Sequence, residues 1–273
     1  MKTILVATDF SDAALNAANY AADMAKSINT SLFLLHIYEI PVPYLEIPVM
    51  VDVNELVKDA QLRLDKLKQE LIKRTDNKIN IIAETKTGTF IQELQSTCEN
   101  IKPYVTILGT QGTTAADHVS FGSRAVQAMK KLEWTLITVP FKASYSSIKK
   151  MALACDLKNV TKTIPVEDIK TLLGDFKSEL HIINTGKKER FNADVVFESG
   201  ILEEMLLKFK PQFHFIAADN IDTGIIDFVE KNNIDLLIAL HSHRSLIESI
   251  IHKSHSKQFI LHSHVPVMAL PHN

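Results

Sequence analysis

The chain alternates short apolar runs with longer segments of helical periodicity, and this alternation is the strongest constraint on its fold. Residues 3–8 form a continuous apolar run, and an alanine-rich helical pattern follows at about 13–27. Further apolar runs lie at 31–37, 79–84, 104–108 and 135–139, separated by helical patterns at 52–74, 89–99 and 124–132. Continuous apolar runs are typical of strands that are buried on both faces. The order βαβαβαβαβ therefore predicts a parallel sheet covered by helices on both faces.

The same order starts again after a short polar break. Residues 141–147 contain small polar residues and fit neither periodicity, which favours a linker. The later apolar runs parallel the earlier ones and lie at 150–156, 179–184, 213–217, 235–240 and 265–271. A repeat of about 140 residues is longer than a solenoid unit. We therefore expect two α/β domains, 1–143 and 148–273, with a shorter connection between the second and third strands of the second domain.

Composition and charge exclude several classes of protein. The net charge of −2 gives no support for a broad nucleic-acid surface. No apolar run approaches the roughly 20 residues that cross a bilayer, and the opening run is too short and too soon charged for a signal peptide. The two cysteines, Cys98 and Cys155, have no metal-site or disulfide spacing. These features predict a cytoplasmic protein that binds neither nucleic acid nor membrane.

Three of the eight glycines lie in one loop between a predicted strand and a predicted helix. Gly109 and Gly112 are followed, after nine residues, by Gly122 and Ser123, which gives the spacing G-x2-G-x9-G-S. Glycine lets the backbone approach a ligand closely, and N–H groups at a helix start can bind phosphate oxygens. The loop therefore predicts phosphate binding, and a merely glycine-rich turn is the alternative.

Together with this loop, three other segments resemble the universal stress protein family in its tandem two-domain form. These segments are Ile4–Ser11, Leu34–Tyr38 and the closing strand Thr135–Pro140 with its proline. The resemblance covers essentially the whole chain. It implies two flavodoxin-like domains of the HUP type, each a five-stranded parallel sheet between helices. It also implies ATP, or else AMP or ADP, bound in the first domain across the carboxyl ends of the strands.

The resemblance also assigns roles to individual residues. Asp9 would contact the ribose or base, although it could instead cap the first helix together with Ser11. The phosphates would be held by Gly109, Gly112, Gly122 and Ser123. Two departures weaken the match. Tyr104 stands where the family often has aspartate, and the loop carries Asp117 and His118 in place of a frequent basic residue, which leaves less positive charge for phosphates.

The second half lacks the loop glycines. Aligned from the ends, Leu240, His243 and Lys253 take the three glycine positions, and Ser254 alone remains opposite Ser123. Because a side chain at these positions blocks close approach of the backbone, we expect that the second domain has lost this mode of phosphate binding.

Histidines concentrate at the end of the chain, where seven of the eleven lie in the last 33 residues. His241 with His243, and His262 with His264, form H-x-H pairs, which place two imidazoles on one side of an extended segment. Such pairs are candidate zinc ligands, with His241 and His243 the first choice. The alternative is a polar rim left by a decayed loop, since no H-E-x-x-H motif or cysteine partner accompanies them.

No catalytic motif accompanies the glycine loop. The sequence has no P-loop lysine, no G-x-S-x-G elbow and no kinase signature. Nucleotide held by backbone amides alone would be hydrolysed slowly. We therefore expect a stress-response or regulatory nucleotide-binding protein, with a structural interaction module or a slow ATPase as alternatives. The strands at 135–139 and 265–270 are the family's pairing edges, where the two domains could pair within the chain, and a homodimer is also left open.

Overall fold

The computed structural model describes residues 2–39, 53–110, 121–186, 193–241 and 264–271. Within these ranges the chain forms ten strands: β1 Thr3–Thr8, β2 Ser31–Tyr38, β3 Ile81–Thr87, β4 Val105–Thr110, β5 Leu136–Pro140, β6 Lys150–Ala154, β7 Glu179–Gly186, β8 Gln212–Ala217, β9 Leu236–His241 and β10 Val267–Pro271. The α-helices in the same ranges are α1 Asp12–Ser27, α2 Val53–Arg74, α3 Phe90–Ile101, α4 Phe121–Lys131, α5 Val160–Thr163, α6 Val166–Phe176, α7 Ala193–Met205 and α8 Ile221–Lys231.

The strands form one sheet in the order β3-β2-β1-β4-β5-β10-β9-β6-β7-β8. Neighbouring strands are parallel throughout, except that β10 runs antiparallel to β5. Counted from its own first strand, each half has the order 3-2-1-4-5. The predicted fold class, parallel sheet covered by helices, is confirmed.

The central strands are buried on both faces, as their continuous apolar runs predict. In β1, Ile4 and Val6 belong to one core layer, whereas Leu5 and Ala7 belong to the other. Both layers extend along the sheet into the second half. None of the helices in the described ranges is long and apolar enough to cross a membrane.

The alanine-rich helix α1 packs directly on the sheet. Its N-cap is Ser11, whose side chain accepts a hydrogen bond from the Ala14 N–H at 3.3 Å. Ala17, Ala18 and Ala21 are fully buried. Because alanine adds so little bulk, the helix axis can lie close to the strands beneath it.

The corresponding helix of the second half is broken in two. α5 spans only four residues, and Pro165 separates it from α6. Proline has no N–H and clashes with the preceding turn, so a continuous helix cannot run through this position.

Tyr104, which departs from the family pattern, has a structural partner in the second half of the chain. Its hydroxyl donates a hydrogen bond to Asp175 Oδ2 at 2.8 Å. Lys2 also pairs with Asp175, and its ammonium lies 4.5 Å from the centre of the Tyr104 ring. Burial and the neighbouring carboxylate raise the pKa of Tyr104, so the hydroxyl remains a donor. The three side chains join the start of β4 to the end of α6.

Candidate functional site

A cleft lies where β1 and β4 end, at the point where the strand order reverses direction. In open α/β sheets, ligands bind in the crevice at this position. The concavity measures about 320 Å³, including space that is open to solvent. Its walls are formed by Ala7, Thr8, Asp9, Ile37, Phe90, Leu108, Gly109, Arg124 and Ala125.

Asp9 follows β1 directly and is half-buried. Its Oδ1 accepts a hydrogen bond from the Ser11 N–H at 3.0 Å, which fixes the turn between β1 and α1. The capping oxygen of α1 comes from Ser11 itself. Among the described residues, nothing donates a hydrogen bond to Asp9 Oδ2. Oδ1 therefore holds the turn at the edge of the cleft.

Phe10 adopts a left-handed backbone conformation with φ of 66°. Its N–H donates to Thr8 Oγ1 at 3.0 Å. The centre of the Phe10 ring lies 4.6 Å from the centre of the His36 ring. The guanidinium carbon of Arg63, a residue of α2, lies 4.4 Å from the centre of the Phe10 ring. A non-glycine residue in this region is strained by roughly 1–2 kcal/mol. Such strain persists only where the surroundings impose it, and it clusters at binding sites.

His36 is buried beneath Phe10 at the end of β2. Its Nδ1 lies 2.8 Å from the Thr8 carbonyl oxygen. A carbonyl oxygen can only accept, so Nδ1 carries the hydrogen and Nε2 is unprotonated in the neutral ring. Burial lowers the pKa of His36, opposed by the Thr8 carbonyl and Asp9, while the charges of Arg63 and Arg124 lower it further. The imidazole is therefore neutral at pH 7.

Close packing against α1 requires glycine at position 109, which the sequence alone did not reveal. A Cβ at this position would lie 2.4 Å from the carbonyl oxygen of Ala13 and 2.7 Å from its carbonyl carbon. The absence of a side chain lets the end of β4 touch the first turn of α1. Gly109 therefore shapes the wall of the cleft through the contact between strand and helix.

Arg124 and Glu39 form an ion pair at the mouth of the cleft. Arg124 Nη2 donates to Glu39 Oε2 at 3.2 Å, and the guanidinium carbon lies 5.2 Å from the centre of the Phe90 ring. Glu39 Oε1 accepts from the Phe90 N–H at 2.9 Å, at the start of α3. Neither charged residue was identified from the sequence, because the carboxylate and the guanidinium come from positions 85 residues apart.

The structure brings two of the predicted site residues, Asp9 and Gly109, into one cleft. Gly122 and Ser123 lie in the first turn of α4, where only the backbone is described, and Gly112 lies outside the described residues. Of the metal candidates, His241 ends β9 without a described side chain, and His243 lies outside the described residues as well. In the ranges described, no group of three or more His, Cys, Asp or Glu could hold a metal ion.

The second half repeats the backbone of this site with other side chains. Leu157 has φ of 51°, matching Phe10, and Asn184 Nδ2 donates to the Cys155 carbonyl oxygen at 3.0 Å, as His36 does to Thr8. Leu240 takes the register position of Gly109 and is buried in the core. A leucine there fills space that the backbone of α1 occupies beside Gly109 in the first half.

The fold and the cleft together define a tandem α/β protein with a candidate ligand site at a topological switch point. The sequence profile of the universal stress protein family matches residues 1–140 and 189–271. These two segments make up most of the chain, which therefore belongs to this family. The unmatched stretch contains β6, the divided helix α5–α6 and the whole of β7.

Individual relatives agree with the family assignment. A universal stress protein of Methanocaldococcus jannaschii is 25% identical over 142 residues, covering 50% of this chain and 81% of its own. The crystal structure of a universal stress protein from Archaeoglobus fulgidus matches 99% of this chain and 98% of its own, with 16% identity and a TM-score of 0.76. A functionally unknown protein from Pseudomonas aeruginosa covers 99% of this chain and 92% of its own, with 12% identity and a TM-score of 0.57. At these identities the two structures establish a shared fold alone.

Two family structures contain ligands. A universal stress protein in complex with cAMP matches 38% of this chain and 73% of its own, with 22% identity and a TM-score of 0.29. A family protein from Arabidopsis thaliana with AMP bound matches 51% of this chain and 92% of its own, with 14% identity and a TM-score of 0.34. Neither likeness supports an argument about the structure of this chain.

Proposed function

We propose that the chain is a stress-response regulatory protein that binds an adenine nucleotide, in the first instance ATP, in the cleft of its first half. One observation carries the proposal: Asp9 and Gly109, distant in sequence, line the same cleft where the strand order reverses. This is where the βα loops of an open parallel sheet converge on a ligand.

In this proposal, Asp9 binds the ribose, and the glycine loop with the start of α4 binds the phosphates. Asp9 Oδ2 accepts hydrogen bonds from the ribose hydroxyls, while Oδ1 stays on the Ser11 N–H. Gly112 and Gly122 let the backbone approach the phosphates, and the Ser123 hydroxyl and the first N–H groups of α4 donate to phosphate oxygens. The start of a helix favours negative charge because its N–H groups have no partner within the helix.

We extend the proposal to the division of the chain. Residues 1–143 form the nucleotide-binding domain, and residues 148–273 form a second domain that has lost this mode of binding. The sequence supports this assignment, because Leu240, His243 and Lys253 stand where the first half has its loop glycines. One nucleotide per chain is therefore expected.

Regulation rather than turnover is the proposed role. Bound nucleotide would shift a conformational equilibrium in proportion to its difference in affinity for the two states. The buried His36 donates through Nδ1 to the Thr8 carbonyl oxygen. Among the described residues, no hydrogen bond links it to a side chain that could act as a nucleophile. Hydrolysis of ATP is expected to be slow.

The test is mass spectrometry of small molecules released by denaturing freshly purified protein, with calorimetric titration of ATP, AMP and cAMP. AMP and cAMP are included because other family members have been crystallised with them. About one adenine nucleotide per chain is expected, and Gly122→Val should abolish binding while leaving the circular dichroism spectrum unchanged. Two per chain would contradict the loss of the second site. No release and no heat would favour the structural interaction module.

A further inference from the structure

Four charged side chains surround the cleft and its rim. Arg63 and Arg124 supply two positive charges, and Asp9 and Glu39 supply two negative charges. The loop of the first half contains no lysine or arginine, so it offers a phosphate no permanently charged cationic side chain. Of the two arginines, only Arg124 lines the cleft together with Gly109.

Arg124 is held in place by contacts of unequal strength. Its guanidinium packs against the Phe90 ring, and a quarter of the side chain is exposed. Its carboxylate partner, Glu39, is 45% exposed. An ion pair with a half-exposed partner contributes little to stability, because water competes for both charges. A doubly charged phosphate group beside the same guanidinium would form stronger, bidentate hydrogen bonds.

Glu39 does not depend on Arg124 for its position. Its other oxygen accepts from the Phe90 N–H, so the carboxylate stays at the start of α3 when the guanidinium turns away. The carboxylate then remains close enough to repel any other anion that Arg124 binds. Glu39 therefore both occupies Arg124 in the free protein and opposes an anionic ligand.

We propose that Arg124 is the phosphate-binding side chain of the cleft and that Glu39 is its placeholder in the free protein. This inference rests on the proposed function and adds the side chain that recognises the phosphate group. Only a ligand with a phosphate group gains enough from Arg124 to displace Glu39. The cleft therefore selects nucleotides over the nucleoside with the same base and sugar.

The experiment measures dissociation constants of the full-length chain for ATP, AMP and adenosine by calorimetry at low ionic strength. Glu39→Gln keeps the hydrogen bond from the Phe90 N–H but removes the charge. It should tighten ATP and AMP binding by about 3- to 10-fold and change adenosine binding by less than about twofold. Arg124→Gln should weaken ATP binding by on the order of tenfold or more. In the Arg124→Gln background, Glu39→Gln should tighten ATP binding by less than it does in the wild type, because only the repulsion by the carboxylate is left to remove.

Two control variants distinguish an effect of the Glu39–Arg124 pair from an effect of net charge alone. Glu204→Gln removes an exposed carboxylate from α7, and Lys130→Gln removes an exposed cation from α4, on the same helix as Arg124. Both should bind ATP as the wild type does. Thermal melting of each variant establishes that it is folded, and Arg124→Lys replaces Arg124→Gln if the latter does not fold.

The outcomes are distinct. If Glu39→Gln and Glu204→Gln change the affinity for ATP equally, the displacement of Glu39 from Arg124 by phosphate is overturned. The proposed function then still stands. Equal tightening of ATP and adenosine by Glu39→Gln also overturns this displacement, because the effect is then independent of phosphate. Failure of the wild type and of Glu39→Gln to bind any of the three compounds overturns the proposed function and this inference together.

Discussion

The Cα of Gly109 faces the backbone of α1, and the atom nearest to a methyl group placed on it would be the Ala13 carbonyl oxygen. Gly174, in the last turn of α6, is the opposite case, since nothing lies within 4 Å of a Cβ at that position. Neither residue has a left-handed φ. Neither position therefore needs glycine for its backbone conformation, and the two differ in the space available to a side chain.

Gly109→Ala is expected to destabilise the protein by about 1–3 kcal/mol, because backbone atoms of α1 must move away from the new methyl group. Gly174→Ala should stabilise it by up to about 1 kcal/mol, since alanine favours the helix and meets no obstacle. Urea unfolding followed by far-UV circular dichroism measures both. Equal stabilities for Gly109→Ala and the wild type would show that β4 does not pack against α1 as closely as described.

Two histidines of the second half pack together outside the cleft. His181 Nδ1 lies 3.0 Å from His214 Nε2, and the ring centre of Phe228 lies 4.6 Å from that of His214. His181 Nε2 is buried without a hydrogen-bond partner among the described residues. Burial lowers the pKa of both groups, and for His181 the charges of His214 and Lys150 lower it further.

These lowered pKa values predict a loss of stability on mild acidification. As the pH falls below the ordinary histidine value of about 6.5, the unfolded chain takes up protons that the folded protein resists. The free energy of unfolding should therefore decrease from pH 7.5 to pH 5.5, down to the lowered folded-state values. His214→Gln should flatten this dependence, measured by urea unfolding at each pH. An unchanged slope would mean that the pair is not responsible.

At this scale the sequence identified Asp9 and Gly109 as neighbours in a site, but not the contacts that surround them. The resemblance to the family placed both positions at the carboxyl ends of strands, where ligands of an open α/β sheet bind. The Glu39–Arg124 pair depends on side-chain conformations across 85 residues, for which no local pattern exists. The reason for Tyr104 was equally hidden, because its partner Asp175 belongs to the second half of the chain.

Among the elements, α6 and β4 are joined by the cluster of Tyr104, Asp175 and Lys2. Tyr104→Phe should destabilise the protein by about 1 kcal/mol, because it removes one hydrogen bond to a carboxylate that Lys2 still pairs. A double-mutant cycle with Asp175→Asn, measured by thermal or urea unfolding, isolates the interaction of the two side chains. Strictly additive effects would show that the hydrogen bond does not contribute.

The elements of the first half followed from apolar periodicity, with small shifts at their ends. The third strand is β3 at Ile81–Thr87 and not 79–84, and it ends where Gly88 turns the chain with φ of 153°. The division of the second half's first helix is set by Pro165, next to a core that Leu240 fills from β9. The break in this helix depends on one residue type, proline, so its position can be read from the sequence.

For the whole molecule, the sheet is continuous across β5 and β10, where Ile137 lies opposite Met268. Trp134, the only tryptophan of the chain, lies just before β5 and reports on the first half. We expect its fluorescence and the far-UV circular dichroism to follow one unfolding curve, because both core layers continue across this pair of strands.

Met268→Ala tests the same continuity. The residue is fully buried, so truncation should cost about 2–5 kcal/mol. The two signals should shift together to lower urea concentration. Separate transitions, in the variant or in the wild type, would show that the halves unfold independently.

The antiparallel pairing of β5 with β10 has a consequence for how the protein can be recognised. Strands within each half are parallel, so reversal at the junction directs the carboxyl ends of the two halves toward opposite rims of the sheet. In the proposed function, a macromolecule that senses the nucleotide-bound cleft approaches from one pole of the sheet, while the corresponding surface of the second half faces the other pole. The two poles of the molecule therefore present different surfaces, unlike a symmetric pair of equal sites. A partner at one pole can be recognised independently of a partner at the other.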